Sequence, residues 1–158
     1  PKTPKPHSYK IKSYNLIISL NFVIYNKVYN DSSESRLKVL GSALNSLTHI
    51  KELNTVFMSL KREELERFNY KKGDTEGLVN VILSIKGMSI AIFMVENDEG
   101  KVKMSFRSKG KYFVNEFAKK HFNGGGHTNA AGGRSESSLD DTVEKFITIL
   151  PQYKSLLT

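Results

Sequence analysis

The sequence predicts an α/β fold, a mixed β-sheet with helices packed on its faces. Three observations carry that expectation. Short apolar runs of strand length, Val56-Phe57-Met58 and Met88 to Val95, recur between segments of helical periodicity. Val102, Met104 and Phe106 alternate with Lys101, Lys103, Ser105 and Arg107, the mark of a strand with one buried and one basic face. Leu139, Val143, Phe146, Ile147 and Leu150 then form the apolar stripe of a closing helix. Strands alternating with helices bury their apolar sides best as a sheet covered by helices.

The elements follow in chain order. Pro1-Lys2-Thr3-Pro4-Lys5-Pro6 cannot form a regular helix, because proline removes donors and restricts the residue before it. Residues 1–30 read as a basic N-terminal segment or the remnant of an interdomain linker, and residues 31–158 as the domain proper. Asp31 and Glu34 have the spacing of a capping box, ahead of Leu37, Leu40, Leu44 and Leu47 at helical intervals. Val56 to Met58 is a strand, and Lys61 to Phe68 a charged helix. Leu78 to Ile85 is ambiguous. Its β-branched content favours a strand, yet Asp74 or Thr75 could cap a helix and Gly87 could close one. Glu96 to Gly100 turns the chain between the Met88–Val95 run and the alternating strand. A helix from about Val114 to Phe122 places Val114, Phe117, Ala118 and His121 on one side and stops at Asn123-Gly124. Ser138 and Asp141 start the last helix, and Pro151 ends it.

Composition narrows the function classes. The chain has 158 residues, 39% of them hydrophobic and 25% charged, as expected of one ordinary globular domain. No apolar run reaches the length of a membrane span, and no small-residue cleavage site follows Leu16 to Leu20. Without cysteine there is neither a disulfide frame nor a thiolate metal site, which fits a cytoplasmic protein. The net charge of +8 is unevenly spread. Residues 101–134 carry eight basic groups against Glu116 alone, and they surround a glycine-rich stretch. Such a region attracts phosphate-bearing partners, although a charge run alone is more often a solvated face.

The residues suited to chemistry lie in that region. Asn123 is followed by Gly124, Gly125, Gly126, His127, Thr128 and Asn129. Three successive glycines remove every Cβ, so their N–H groups can turn toward an anion. A helical turn starting near His127 would add further donors and a favourable dipole. The lysine and hydroxyl of a P-loop are missing. Upstream, Ser105-Phe106-Arg107-Ser108 sets a guanidinium at a strand end, where it can grip phosphate with two donors. Alone, the glycines read as a flexible turn and Arg107 as an exposed strand residue. Together they flank one short helix, and that arrangement points to phosphate. His7 lies in the tail, His49 near a helix end, and His121 on an apolar helix side. No histidine pair has metal-ligand spacing, and no Ser/His/Asp signature is visible. The chain thus offers groups to hold phosphate and no means of activating water.

Ser105-Phe106-Arg107-Ser108, Val114-Asn115-Glu116, Gly124-Gly125-Gly126-His127 and Ala130-Ala131-Gly132, in this order, resemble the DHH-associated C-terminal domain of DHH-family phosphoesterases. Asp74-Thr75-Glu76-Gly77-Leu78-Val79-Asn80 resembles the subgroup of bacterial enzymes that combine oligoribonuclease and 3′-phosphoadenosine 5′-phosphate phosphatase activity. These enzymes are similar to RecJ-type exonucleases and often labelled exopolyphosphatase-related. The resemblance covers roughly residues 27–150. It implies that an N-terminal DHH domain with Asp and His ligands holds Mn²⁺, and that this chain binds no cofactor itself. It further implies that Arg107, Gly124, Gly125, Gly126 and His127 contact substrate phosphate or ribose, with Ser105, Ser108 and Asn129 as weaker candidates. Asn115 is expected to organise a helix start. The metal-ligand motifs are not among the 158 residues, so the isolated chain is expected to be inactive.

Two other readings remain open from sequence. One is a non-catalytic nucleic-acid-binding module, since the same domain type ends alanyl-tRNA synthetases. The other is a generic basic interaction domain without preference for nucleotides. The sequence also leaves a homodimer open and does not choose between short RNA and a nucleotide as ligand.

Overall fold

A computed structural model describes residues 32–154. The chain divides into Pro1–Glu34 and Ser35–Thr158, and the fold below is that of the second unit. The basic segment 1–30 and the Asp31 half of the expected capping box lie outside the described residues.

Six strands form one sheet: β1 (Thr48–Ile50), β2 (Thr55–Leu60), β3 (Ile90–Glu96), β4 (Val102–Ser108), β5 (Gly125–His127) and β6 (Ala130–Ser135). Their spatial order is β1-β2-β3-β4-β6-β5. The β2–β3 pair is parallel and every other pair antiparallel, so the sheet is mixed, as the alternation of elements predicts. The helices are α1 (Glu34–Asn45), α2 (Arg62–Arg67), α3 (Leu78–Leu83), α4 (Val114–His121) and α5 (Leu139–Ile149). The parallel crossover from β2 to β3 runs through α2 and α3.

The core has two halves, one on each face of the sheet. On the first face, Phe57, Ile92, Met94, Met104 and Phe106 pack with Phe117, Phe122 and Phe146 from the α4 and α5 segments. Phe57 and Phe146 meet edge-on at 5.6 Å. On the second face, Val56, Met58, Ala91, Phe93 and Val95 pack with Val39 and Ala43 of α1, Leu65 of α2, and Leu78, Val79 and Ile82 of α3. β3 is therefore buried on both faces, which is why it reads as an unbroken apolar run. β4 alternates because only its first face is deeply buried. Truncating a wholly enclosed ring such as Phe93 should cost about 3–5 kcal/mol.

The structure revises several local expectations. α1 buries Val39 and Ala43, while Leu37 and Leu44 stand exposed; the apolar helical spacing was real, but the side turned inward is the i, i+4 pair beside it. His49 lies in β1, beyond the helix end where it was expected. The ambiguous segment is the helix α3. Gly77, at φ 74°, occupies its N-cap in place of Asp74 or Thr75. The Asp74 carboxylate instead accepts the Lys71 N–H at 2.9 Å, and Arg36 donates to the carbonyls of Gly73, Asp74 and Glu76, pinning that loop. In α5, Ser138 accepts the Asp141 N–H as expected. Thr142 is buried there and donates to Ser135 Oγ at 2.8 Å, whereas Ile147 is exposed. The α-helix stops at Ile149, just before Pro151 as expected, and a 3-10 turn, Leu150–Tyr153, follows it. Among the described residues no helix is long and apolar enough to cross a membrane.

Candidate functional site

β4, β6 and β5 are neighbours at one end of the sheet. Residues opposite one another on adjacent strands share a face. Arg107 lies opposite Ala130, which lies opposite His127; one row along, Ser105 lies opposite Gly132, which lies opposite Gly125. Arg107, Ser105, Gly125 and His127 therefore belong to one face. It continues the second face of the sheet, because Arg107 and Ser105 also pair with Ala91 and Phe93 of β3. Ser105 and Arg107 are half-buried, and Gly125, His127 and Gly132 are exposed.

Gly125–His127 is a strand of a tight hairpin with β6, so the helical turn expected near His127 is absent. Its extra donors and dipole are absent with it. The turn is only Thr128-Asn129, and pairing with β6 fixes the backbone extended. The glycines then separate by role. A Cβ on Gly124 would lie 2.1 Å from Gly132 O, and one on Gly126, at φ 146°, would lie 2.5 Å from Ala130 O. Those two are required by backbone packing. A Cβ on Gly125 would meet nothing within 4 Å, and one on Gly132 only Met104 O at 3.8 Å. The fold does not need glycine at either position. They form a bare backbone floor beside Arg107 and His127.

The Arg107 Nη1 donates to Phe106 O at 2.8 Å and, more loosely, to Ala131 O at 3.5 Å, which lays the guanidinium across β6. Its Nε and Nη2 have no hydrogen-bond partner among the described residues. Ser108 and Asn129 are engaged elsewhere. Ser108 Oγ donates to Tyr112 O at 2.6 Å, and Asn129 Nδ2 donates to Ser108 Oγ at 2.8 Å and Gly110 O at 3.0 Å. They tie the 109–112 loop to the hairpin and so hold the end of β4. Asn115 caps nothing: the start of α4 is fastened instead by Val114 N–H donating to Thr128 O at 3.0 Å. Its Oδ1 is buried without a partner among the described residues. His121, packed against Phe117, shares a 2.7 Å hydrogen bond with Tyr153. Burial, and then Lys120 and Lys145, hold its ring below the usual 6.5.

Gly132 escaped the sequence reading as a floor residue. Its signal was available: once Ala130–Ser135 is paired with β4, alternation puts Gly132 beside Gly125. A mostly apolar cavity of about 550 Å³ lies on the first face, lined by Ile92, Phe106, Phe113, Phe117 and Phe146 among others, away from Arg107. Among the described residues no group of three or more His, Cys, Asp or Glu side chains could hold a metal ion.

Fold and site together define a class: a mixed-sheet α/β domain whose glycine-floored strand face carries Arg and His but no cluster of metal-ligating groups among the described residues. A family model described as the DHHA1 domain matches residues 60–154. The chain belongs to this family, the DHH-associated domain of DHH-family proteins. It is 30% identical over 109 residues to the bifunctional oligoribonuclease and PAP phosphatase NrnA of Bacillus subtilis (strain 168), covering 68% of this chain and 34% of that protein. The crystal structure of an exopolyphosphatase-related protein from Bacteroides fragilis superposes with a TM-score of 0.84 at 42% identity, covering 97% of this chain and 45% of that one. The chain thus spans between a third and a half of the length of these two relatives.

Proposed function

We propose that this domain binds the substrate of a DHH-family phosphoesterase that hydrolyses short oligoribonucleotides and 3′-phosphoadenosine 5′-phosphate. The observation that carries the reading is the floor of Gly125 and Gly132, two glycines the fold does not require, lying in one row with Ser105 and next to the Arg107–His127 row. Glycine in a strand without internal need marks a close approach by something else. The extended backbone and the free nitrogens of Arg107 suit a phosphate oxygen, and His127 adds a donor at the rim. Gly124 and Gly126 shape the hairpin, and Ser108 and Asn129 position it. An N-terminal DHH domain in the parent protein supplies Mn²⁺ and the attacking water; this domain supplies grip and register across the cleft. The name of the Bacillus subtilis relative supports both the phosphoester chemistry and the nucleotide substrate.

The test is a titration of the 158-residue chain with 3′-phosphoadenosine 5′-phosphate and with short oligoribonucleotides, followed by amide NMR shifts. Shifts should centre on residues 105–107 and 124–132 and vanish in Arg107→Ala. Shifts centred elsewhere, or unchanged affinity in Arg107→Ala, would remove this face as the site. Equal binding of inorganic polyanions would favour a generic basic domain.

A further inference from the structure

We infer that this strand face has a second phosphate contact, formed by Lys103 and Arg134, so that its ligand is an oligonucleotide strand lying along β4. The inference rests on the nucleotide-binding reading above and goes beyond it. Lys103 and Arg134 are directly opposite each other on β4 and β6, on the same face as Ser105 and Gly132. Both are exposed. Like charges directly opposite on a sheet repel, an arrangement that costs stability unless something anionic lies between them.

The neighbouring acids do not neutralise this pair. Glu99 and Glu136 both bind Lys101, whose Nζ lies 3.1 and 3.0 Å from their carboxylates. No hydrogen bond or ion pair ties the head of Lys103 or Arg134 among the described residues. A groove of about 710 Å³ is lined by Lys103, Arg134, Gly125 and Gly132 among others, so the pair and the bare floor share one depression, and Arg107 and His127 stand beyond it on the same face. Glu99, Lys101 and Glu136 stand along the same groove.

Geometry sets the ligand length. Lys103 and Arg107 are four residues apart on one strand, about 13 Å at 3.3 Å per residue. An oligonucleotide of a few residues spans that distance along its sugar–phosphate backbone. A phosphate held at Arg107 lies at one end of this row, whereas a strand of a few nucleotides contacts both ends. The floor between them has no side chain beyond Ser105, so a sugar–phosphate backbone crosses it without obstruction.

The experiment measures the affinity of the full 158-residue chain for 3′-phosphoadenosine 5′-phosphate and for a pentaribonucleotide at several salt concentrations. The double variant Lys103→Gln/Arg134→Gln should bind the pentamer roughly tenfold more weakly. Its log–log salt slope should flatten by about 1.4, two single-strand phosphate contacts. Its affinity for 3′-phosphoadenosine 5′-phosphate should not change. Lys119→Gln removes a charge on α4 and should alter neither ligand. An unchanged pentamer affinity in the double variant, or an equal loss in Lys119→Gln, overturns the second contact while the Arg107 site stands. Full binding of both ligands by Arg107→Ala overturns the site itself. Thermal unfolding of each variant verifies that the fold is retained.

Discussion

Gly125→Val and Gly126→Ala are neighbouring substitutions with opposite expected outcomes. At Gly125 a Cβ meets nothing within 4 Å, and the residue lies in an extended strand. Valine suits that backbone, and removing a strand glycine returns about 0.5–1 kcal/mol of backbone entropy. Stability should therefore hold or rise slightly. The new side chain nevertheless stands on the floor beside Ser105 and Gly132. It should exclude the phosphate and remove a charge-assisted bond worth about 1.5–3 kcal/mol, roughly ten- to a hundredfold in affinity. At Gly126 the φ of 146° and the 2.5 Å approach to Ala130 O leave no room for a methyl. Alanine there should cost about 2–4 kcal/mol in strain and overpacking. For a chain of this length that lowers the melting temperature by roughly 5–15 °C. Circular-dichroism melting and calorimetric titration with a short oligoribonucleotide separate the two effects. Wild-type affinity in Gly125→Val would refute the reasoning that this glycine is kept for a ligand. An unshifted melt in Gly126→Ala would refute the division of the glycines by packing.

Four further outcomes follow from the same structure. Arg107→Ala and His127→Ala should each weaken nucleotide binding by roughly tenfold or more, and the double variant by less than the product if both hold one phosphate; multiplicative losses in the titrations would mean two separate contacts. Asn129→Ala removes the bonds to Ser108 and Gly110 and should cost about 1–2 kcal/mol, read as a lower melting temperature and faster hydrogen exchange in residues 109–112; protection equal to wild type there would count against its positioning role. The isolated chain should not turn over a dinucleotide even with Mn²⁺, since no metal-ligating group of three is present among the described residues; chelator-sensitive turnover that survives repurification would contradict this. Because the folded state binds a proton on His121 less readily than the unfolded chain does, that group's contribution is complete above about pH 6.5 and is lost as pH falls below it. Urea unfolding at pH 7.5 and 5.5 should show a small acid loss in wild type that is reduced in His121→Phe, and an identical loss in both would disprove the assignment.

How much of this was legible in the sequence depends on what each element packs against. β3 and β4 were readable because one is buried on both faces and the other on one, so burial wrote a continuous run and an alternation into the chain. α1 was readable as a helix but not in its orientation, since leucines outside the buried pair completed the same periodicity. β5 and β6 were not readable as strands at all. Gly125–His127 contains no apolar residue, and Ala130–Ser135 presents only alanines and glycines before Arg134. Their strand character comes from pairing: β6 takes its register from β4, and β5 takes its register from β6. The glycine triplet was singled out from sequence, yet the structural need for each glycine was not available there. A cradle of free N–H groups and a flat floor made by strand pairing need the same glycines, and only the register distinguishes Gly125 from Gly124 and Gly126. The missed residue, Gly132, follows from the same cause. It sits five residues beyond His127 in sequence but one strand away from Gly125, and no local pattern reports a cross-strand neighbour. A surface kept bare for a ligand leaves no hydrophobic signal, so sequence periodicity fails first where the proposed binding face begins.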